Sequence, residues 1–115
     1  MKAELKSISS DDYDLDLYFP DDDEKFLLKV ILRIGEKDSK EADNFDLLIC
    51  TPNWLKNNHW TPQLIRHMLL VRKYDLDEIT KTITDYIDQC EGDDWMGIAQ
   101  KLSRVFAWEY EDYQD

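Results

Sequence analysis

The sequence predicts an α+β fold: an antiparallel sheet of four to five strands, two main helices packed on one face, and one short helical turn. Three observations lead there. Alternation of apolar and polar residues dominates the first half of the chain, while apolar spacing of three and four appears only after residue 75. Strands first and helices later is the element order of α+β domains. Only three Gly and three Pro interrupt the chain, and no repeat or linker composition divides it, so residues 1–115 are read as a single domain.

Met1 to Ser9 alternates loosely and suits a first strand with one face in solvent. Ser10 to Glu24 reads as a loop rich in acids. Phe26, Leu28, Val30, Leu32 and Ile34 then share one side of an extended run, with Lys29 and Arg33 on the other, and Gly35 ends it. A polar connector, Glu36 to Asp43, leads to a second alternating run at Phe45, Leu47 and Ile49, for which a hairpin is the simplest arrangement. Thr51-Pro52 has the form of an N-cap with Pro at the first helical position, opening a short turn that stops near Asn57-Asn58. Leu64 to Tyr74, rich in Ile, Leu, Val and Met, is read as a third long strand. Asp75 and Glu78 have capping-box spacing before Leu76, Ile79, Ile83, Tyr86, Ile87 and Cys90, an amphipathic helix that Gly92 is placed to end. Asp93 or Asp94 caps the next helix, whose inward face is Trp95, Ile98, Ala99, Leu102 and Val105. Phe106 to Tyr113 alternates again and reads as a last strand.

Fourteen basic against 26 acidic residues give a formal charge of -12, which repels nucleic-acid phosphates and anionic lipid alike. Residues 75–115 hold twelve of the acids and three of the bases. Neither nucleic acid nor a membrane is therefore an expected partner, and a cationic protein is. The N-terminal MKAELKSISS lacks an apolar h-region and no apolar run is long enough to span a bilayer, so the chain is read as cytoplasmic. Cys50 and Cys90 lack metal or redox spacing and read as buried thiols.

No motif for catalysis emerges. His59 and His67 stand apart from any zinc spacing. Asp12, Asp14 and Asp16 match the first ligand positions of a calcium loop, but Leu17 replaces the obligatory Gly, Pro20 the ninth ligand and Asp23 the bidentate Glu. Paired carboxylates abound, yet a solvated acid run lacks the desolvated partner that hydrolytic acid–base chemistry needs. No catalytic residue, cofactor or metal site is assigned. The alternatives to protein binding are a carboxylate-dependent hydrolase using acids such as Glu109 and Asp112, and an acidic mimic of nucleic acid.

Cys90-Glu91-Gly92-Asp93-Asp94-Trp95, Ala99-Gln100-Lys101-Leu102-Ser103-Arg104 and Trp108-Glu109-Tyr110-Glu111-Asp112-Tyr113, with Lys2-Ala3-Glu4-Leu5-Lys6-Ser7 and Cys50-Thr51-Pro52-Asn53-Trp54-Leu55, give the chain a likeness that runs nearly end to end. It resembles the eighth immunity-protein family of bacterial polymorphic-toxin systems, which includes contact-dependent growth-inhibition immunity proteins. The resemblance implies a small α+β protein without catalytic activity, made alongside a toxin and binding that toxin's C-terminal effector domain in the bacterial cytoplasm. Many such toxins are cationic nucleases, which an acidic partner suits. The binding surface is expected in two acid-rich stretches: Asp12, Asp14, Asp16, Asp22 and Asp23 in the early loop, and Glu109, Glu111 and Asp112 near the end. Tyr18, Phe19 and Tyr113 are the expected aromatic anchors, since large aromatics dominate hot spots once desolvated.

Overall fold

The strongest alternation in the sequence becomes the longest strand. In a computed structural model, which describes residues 1–111, β2 (Leu27–Glu36) pairs antiparallel with β1 (Ala3–Ser9) on one side and β3 (Asp43–Cys50) on the other. Leu28, Val30, Leu32 and Ile34 are all buried, as are Phe45, Leu47 and Ile49 opposite them. In β1 the register shifts between Leu5 and Ser7, so a bulge at Lys6 lets Ala3, Leu5 and Ile8 all meet the core although they do not share one alternation. The hairpin connecting β2 to β3 turns at Asp38, which adopts the left-handed region with φ of 75°.

After β3 the chain forms α1 (Pro52–Asn58), then β4 (Met68–Leu70), α2 (Leu76–Gln89), α3 (Trp95–Leu102) and β5 (Ala107–Trp108). The sheet order is β1-β2-β3-β4, with β5 also pairing to β3. Ile79, Ile83 and Ile87 of α2 and Ile98, Ala99 and Leu102 of α3 join the inward side chains of the sheet in one core, while α1 contributes no buried residue. The fold is α+β, with an open and mostly antiparallel sheet.

Two expected strands are corrected. Leu64 to Tyr74 is not a long strand: only Met68–Leu70 pairs, and it runs parallel to Leu48–Cys50. Its apolar run lacks the two-residue alternation that commits a segment to a half-buried sheet. His67, at φ of 64°, also breaks the extended path. The last strand is likewise cut to Ala107–Trp108, opposite Phe45 and Asp46. The two share one edge of β3 end to end, so neither has room to be long. Glu109 to Glu111 forms a turn, and the remainder of that expected strand lies outside the described residues.

The helix signals hold at their starts. The Asp75 carboxylate accepts from the Glu78 N–H and the Asp94 carboxylate from the Gly97 N–H, each satisfying a first-turn donor. At its end α2 is capped by Cys90, whose N–H donates to the Ile87 carbonyl, and not by Gly92; no described glycine has positive φ.

Thr51 is the one buried polar residue among those described, and its Oγ1 accepts from both the Trp54 and the Phe26 N–H, at 3.3 Å each. One hydroxyl thus caps α1 and holds the entry to β2. Thr51→Ala should cost about 2 kcal/mol, because it strands one buried and one part-buried donor, while Thr51→Ser should recover most of that. Urea unfolding of the two variants checks this, and equal midpoints would contradict it.

Candidate functional site

The early acidic loop is folded onto one aromatic hub. Tyr74, only 7% exposed, makes T-shaped contacts with Tyr18 and Phe19 from the loop, at 5.3 and 5.5 Å, and with Phe26 at 5.4 Å. The Tyr74 N–H donates to the Asp23 carbonyl, fixing the end of the loop to the chain that leads into α2. Tyr13 packs on Tyr18 at 4.5 Å. Burial above all, then the neighbouring Tyr13, Tyr74 and Asp21, push the Tyr18 phenol above its ordinary pKa, so it stays a neutral hydroxyl.

What the hub does not cover is apolar surface. Phe19 is 66% and Leu17 84% exposed, and Tyr13 is about half exposed. With Tyr18, Pro20 and Trp54 they line a shallow concavity whose rim includes Asp21 and Asp22. Asp12, Asp14, Asp16 and Asp22 are exposed and Asp23 half-buried. Asp14 and Asp22 each accept from the N–H two residues on, tight local turns that need a short acceptor side chain. Among the described residues none of the loop carboxylates lies in an ion pair.

The second acid-rich stretch lies elsewhere and does something else. Register places the early loop beside the Leu27–Cys50 end of the central hairpin, whereas β5 leads Glu109 toward Asn44, at the opposite end of β3. Six strand residues separate them, about 20 Å. Glu109 accepts from the Asn44 N–H at 2.8 Å, and Glu111 accepts from Arg66 at 2.6 Å. Both carboxylates thus make internal ties. Asp112 and Tyr113 lie outside the described residues.

A further carboxylate is also internal. Asp43 Oδ2 accepts from two indoles, Trp95 Nε1 at 2.9 Å and Trp108 Nε1 at 3.0 Å, and so joins β3 to α3 and β5. Burial raises both the Cys50 and Cys90 thiols above their usual range, which keeps them protonated and poorly nucleophilic.

What stands free among the described residues is therefore a loop of acids without ion pairs around exposed aromatics. The family profile described as Immunity protein 8 matches residues 3–113, nearly the whole chain. The chain belongs to this immunity-protein family. No curated protein and no solved structure matches it. Membership of Immunity protein 8 gives the chain a toxin as partner.

In this Immunity protein 8 chain the loop acids, Tyr18 and Phe19 are the residues the sequence singles out, and the structure sets Tyr13, Leu17 and Trp54 beside them. An apolar residue on a loop of acids, such as Leu17 between Asp16 and Tyr18, was the available signal, because nothing in such a loop can bury it. In the segment after α1, Trp60 is 88% exposed.

Proposed function

We propose that this chain binds and neutralises the C-terminal effector domain of a cognate bacterial toxin, a cationic nuclease, in the cytoplasm. The observation that carries the reading is the early loop: acids without an internal cation, Asp12, Asp14, Asp16, Asp22 and Asp23 among them, set around the exposed rings of Phe19 and Tyr13. Such a field steers a cationic partner into encounter, and the rings supply area that becomes favourable once water leaves it. A nuclease held this way has its phosphate-binding charge occupied by carboxylates. Glu109 and Glu111, tied to Asn44 and Arg66, support the fold behind the contact and do not make it.

A hydrolase reading draws less support from the described acids. Among the described residues no Asp or Glu is buried, so the desolvated carboxyl that such chemistry requires has no candidate.

The test is association with the C-terminal domain of the toxin encoded beside this protein. Affinity of about 1 nM or tighter is expected, because residual free toxin is lethal. The association rate should fall about tenfold or more between ~50 and ~500 mM salt. An acidic toxin domain, or a rate indifferent to salt, would remove the electrostatic part of this proposal.

A further inference from the structure

Every residue from Lys56 to Arg66 is exposed, an unusual length of fully solvated chain for a segment that contains Trp60, Leu64 and Ile65. Trp60 is 88%, Leu64 106% and Ile65 53% exposed. Scattered apolar residues on a surface need no explanation, but three large ones within six residues do.

The arm is held at both ends. At its start the His59 N–H donates to the Leu55 carbonyl and the His59 ring meets the Trp54 ring at 5.3 Å. At its end Arg66 is bonded to Glu111 and to the Ser103 carbonyl, and the His67 carbonyl accepts from the Leu48 N–H. His67 turns the chain into β4. Pro62 stiffens the middle. A projection fixed in this way loses less entropy when a partner orders it.

Trp54 makes the arm continuous with the acidic concavity, since it lines that concavity beside Phe19 and also touches His59. The charge changes across this seam. Residues 47–74 contain no Asp or Glu, in a chain that carries 26 acids, and their four cations, Lys56, Arg66, Arg72 and Lys73, lie at or beyond the two ends of the arm, leaving 57–65 without a Lys or Arg.

We infer that the arm, with Trp60 at its centre, is the apolar lock of the toxin interface, inserting into an uncharged recess that adjoins the cationic surface engaged by the loop acids. This inference rests on the toxin-binding reading and divides its labour. The loop carboxylates set the rate of encounter, because long-range charge acts before contact; the arm sets the lifetime of the complex, because desolvated aromatic area acts after it. The complementary partner has a basic rim beside an apolar pocket. A second copy of this chain is a poor fit for the acidic loop, because like charge would face like.

The experiment measures binding kinetics of the full chain against the C-terminal domain of the toxin encoded beside it. The variants are Trp60→Ala, Leu64→Ser, the pair Asp21→Asn with Asp22→Asn, and Asp85→Ala on the outer face of α2 as a remote control. All these sites are exposed, so circular dichroism and melting should match the parent. Trp60→Ala is expected to speed dissociation about 30-fold or more, with association within about threefold. Leu64→Ser should act in the same direction but less strongly. The paired Asp variant should slow association and flatten its salt dependence, with dissociation little changed, and Asp85→Ala should do neither.

If the parent binds and neither arm variant changes dissociation by more than twofold, the arm is outside the interface and this inference fails, while the immunity reading stands. If the parent does not bind that domain at all, the immunity reading falls and takes the inference with it. If sedimentation shows a micromolar dimer that Trp60→Ala dissociates, with toxin kinetics unaffected, the arm covers a second copy and the inference is overturned.

Discussion

Phe45→Ala should bring the protein to the edge of unfolding, with a loss of about 4 kcal/mol. Phe45 lies near the start of β3, 0% exposed, where the sheet meets α3 and β5. Its ring stacks on Trp108 at 6.3 Å and makes T-shaped contacts with Trp95 and Phe106 at 6.5 and 6.4 Å. These neighbours cannot collapse into the vacated space, because the Trp95 and Trp108 indoles are both bonded to Asp43 and held away from it. The cavity therefore persists, and both transfer and cavity costs are incurred. A domain of this size has about 5–15 kcal/mol in total, so the variant would keep only a small margin. Phe45→Leu, which retains most of the volume, should lose about 1.5 kcal/mol or less. Urea unfolding followed by Trp fluorescence reads both, with a lowered midpoint and an unchanged slope expected. A loss below about 1 kcal/mol for the alanine variant would mean that the aromatic cluster relaxes freely.

Elements whose instructions are local were legible in the sequence. β2 announces itself because both of its faces are set by its own alternation, and α2 because Asp75 caps a run of Ile79, Ile83 and Ile87 at helical spacing. The elements that came out differently depend on a partner. Leu64 to Tyr74 has the composition of a strand, but the edge of β3 offers only Leu48–Cys50 to it and gives Phe45 and Asp46 to β5. No feature of either segment alone declares that sharing. The bulge at Lys6 has the same character, since it exists to fit β1 to β2.

The candidate site divides along the same line. Uncompensated acids are visible in composition, and the early loop could be found from Asp12, Asp14, Asp16, Asp22 and Asp23 alone. That Glu109 and Glu111 are tied inward could not be, because their partners Asn44 and Arg66 lie 65 and 45 residues away in the chain. Trp60 escaped notice for the opposite reason: tryptophan normally reads as core, and only the absence of any element around residues 59–67 leaves it in solvent.

Gly35→Ala should be the most damaging change of a single methyl group, costing about 3 kcal/mol. A Cβ at this position would stand 2.0 Å from the Glu41 carbonyl oxygen and about 3 Å from the carbonyl carbon of Glu41 and the Ala42 Cα. All three neighbours are backbone, so no side chain can rotate away. The need is for space and not for conformation, because Gly35 does not have positive φ. The sequence suggested that Gly35 ends the strand; instead β2 continues through it to Glu36, and the missing side chain lets the returning connector cross closely over the strand. Relief of the clash must displace Glu41 and Ala42, which lead directly into Asp43. That carboxylate bridges the Trp95 and Trp108 indoles, so the strain should be read in tryptophan emission as well as in stability. The expected result is a lower urea midpoint together with a shifted spectrum in the still-folded protein. An unchanged spectrum with the full loss of stability would place the relief in β1, which pairs Glu4 with Gly35 on the other side, and an unchanged midpoint would show that the close approach of the connector is not maintained in solution.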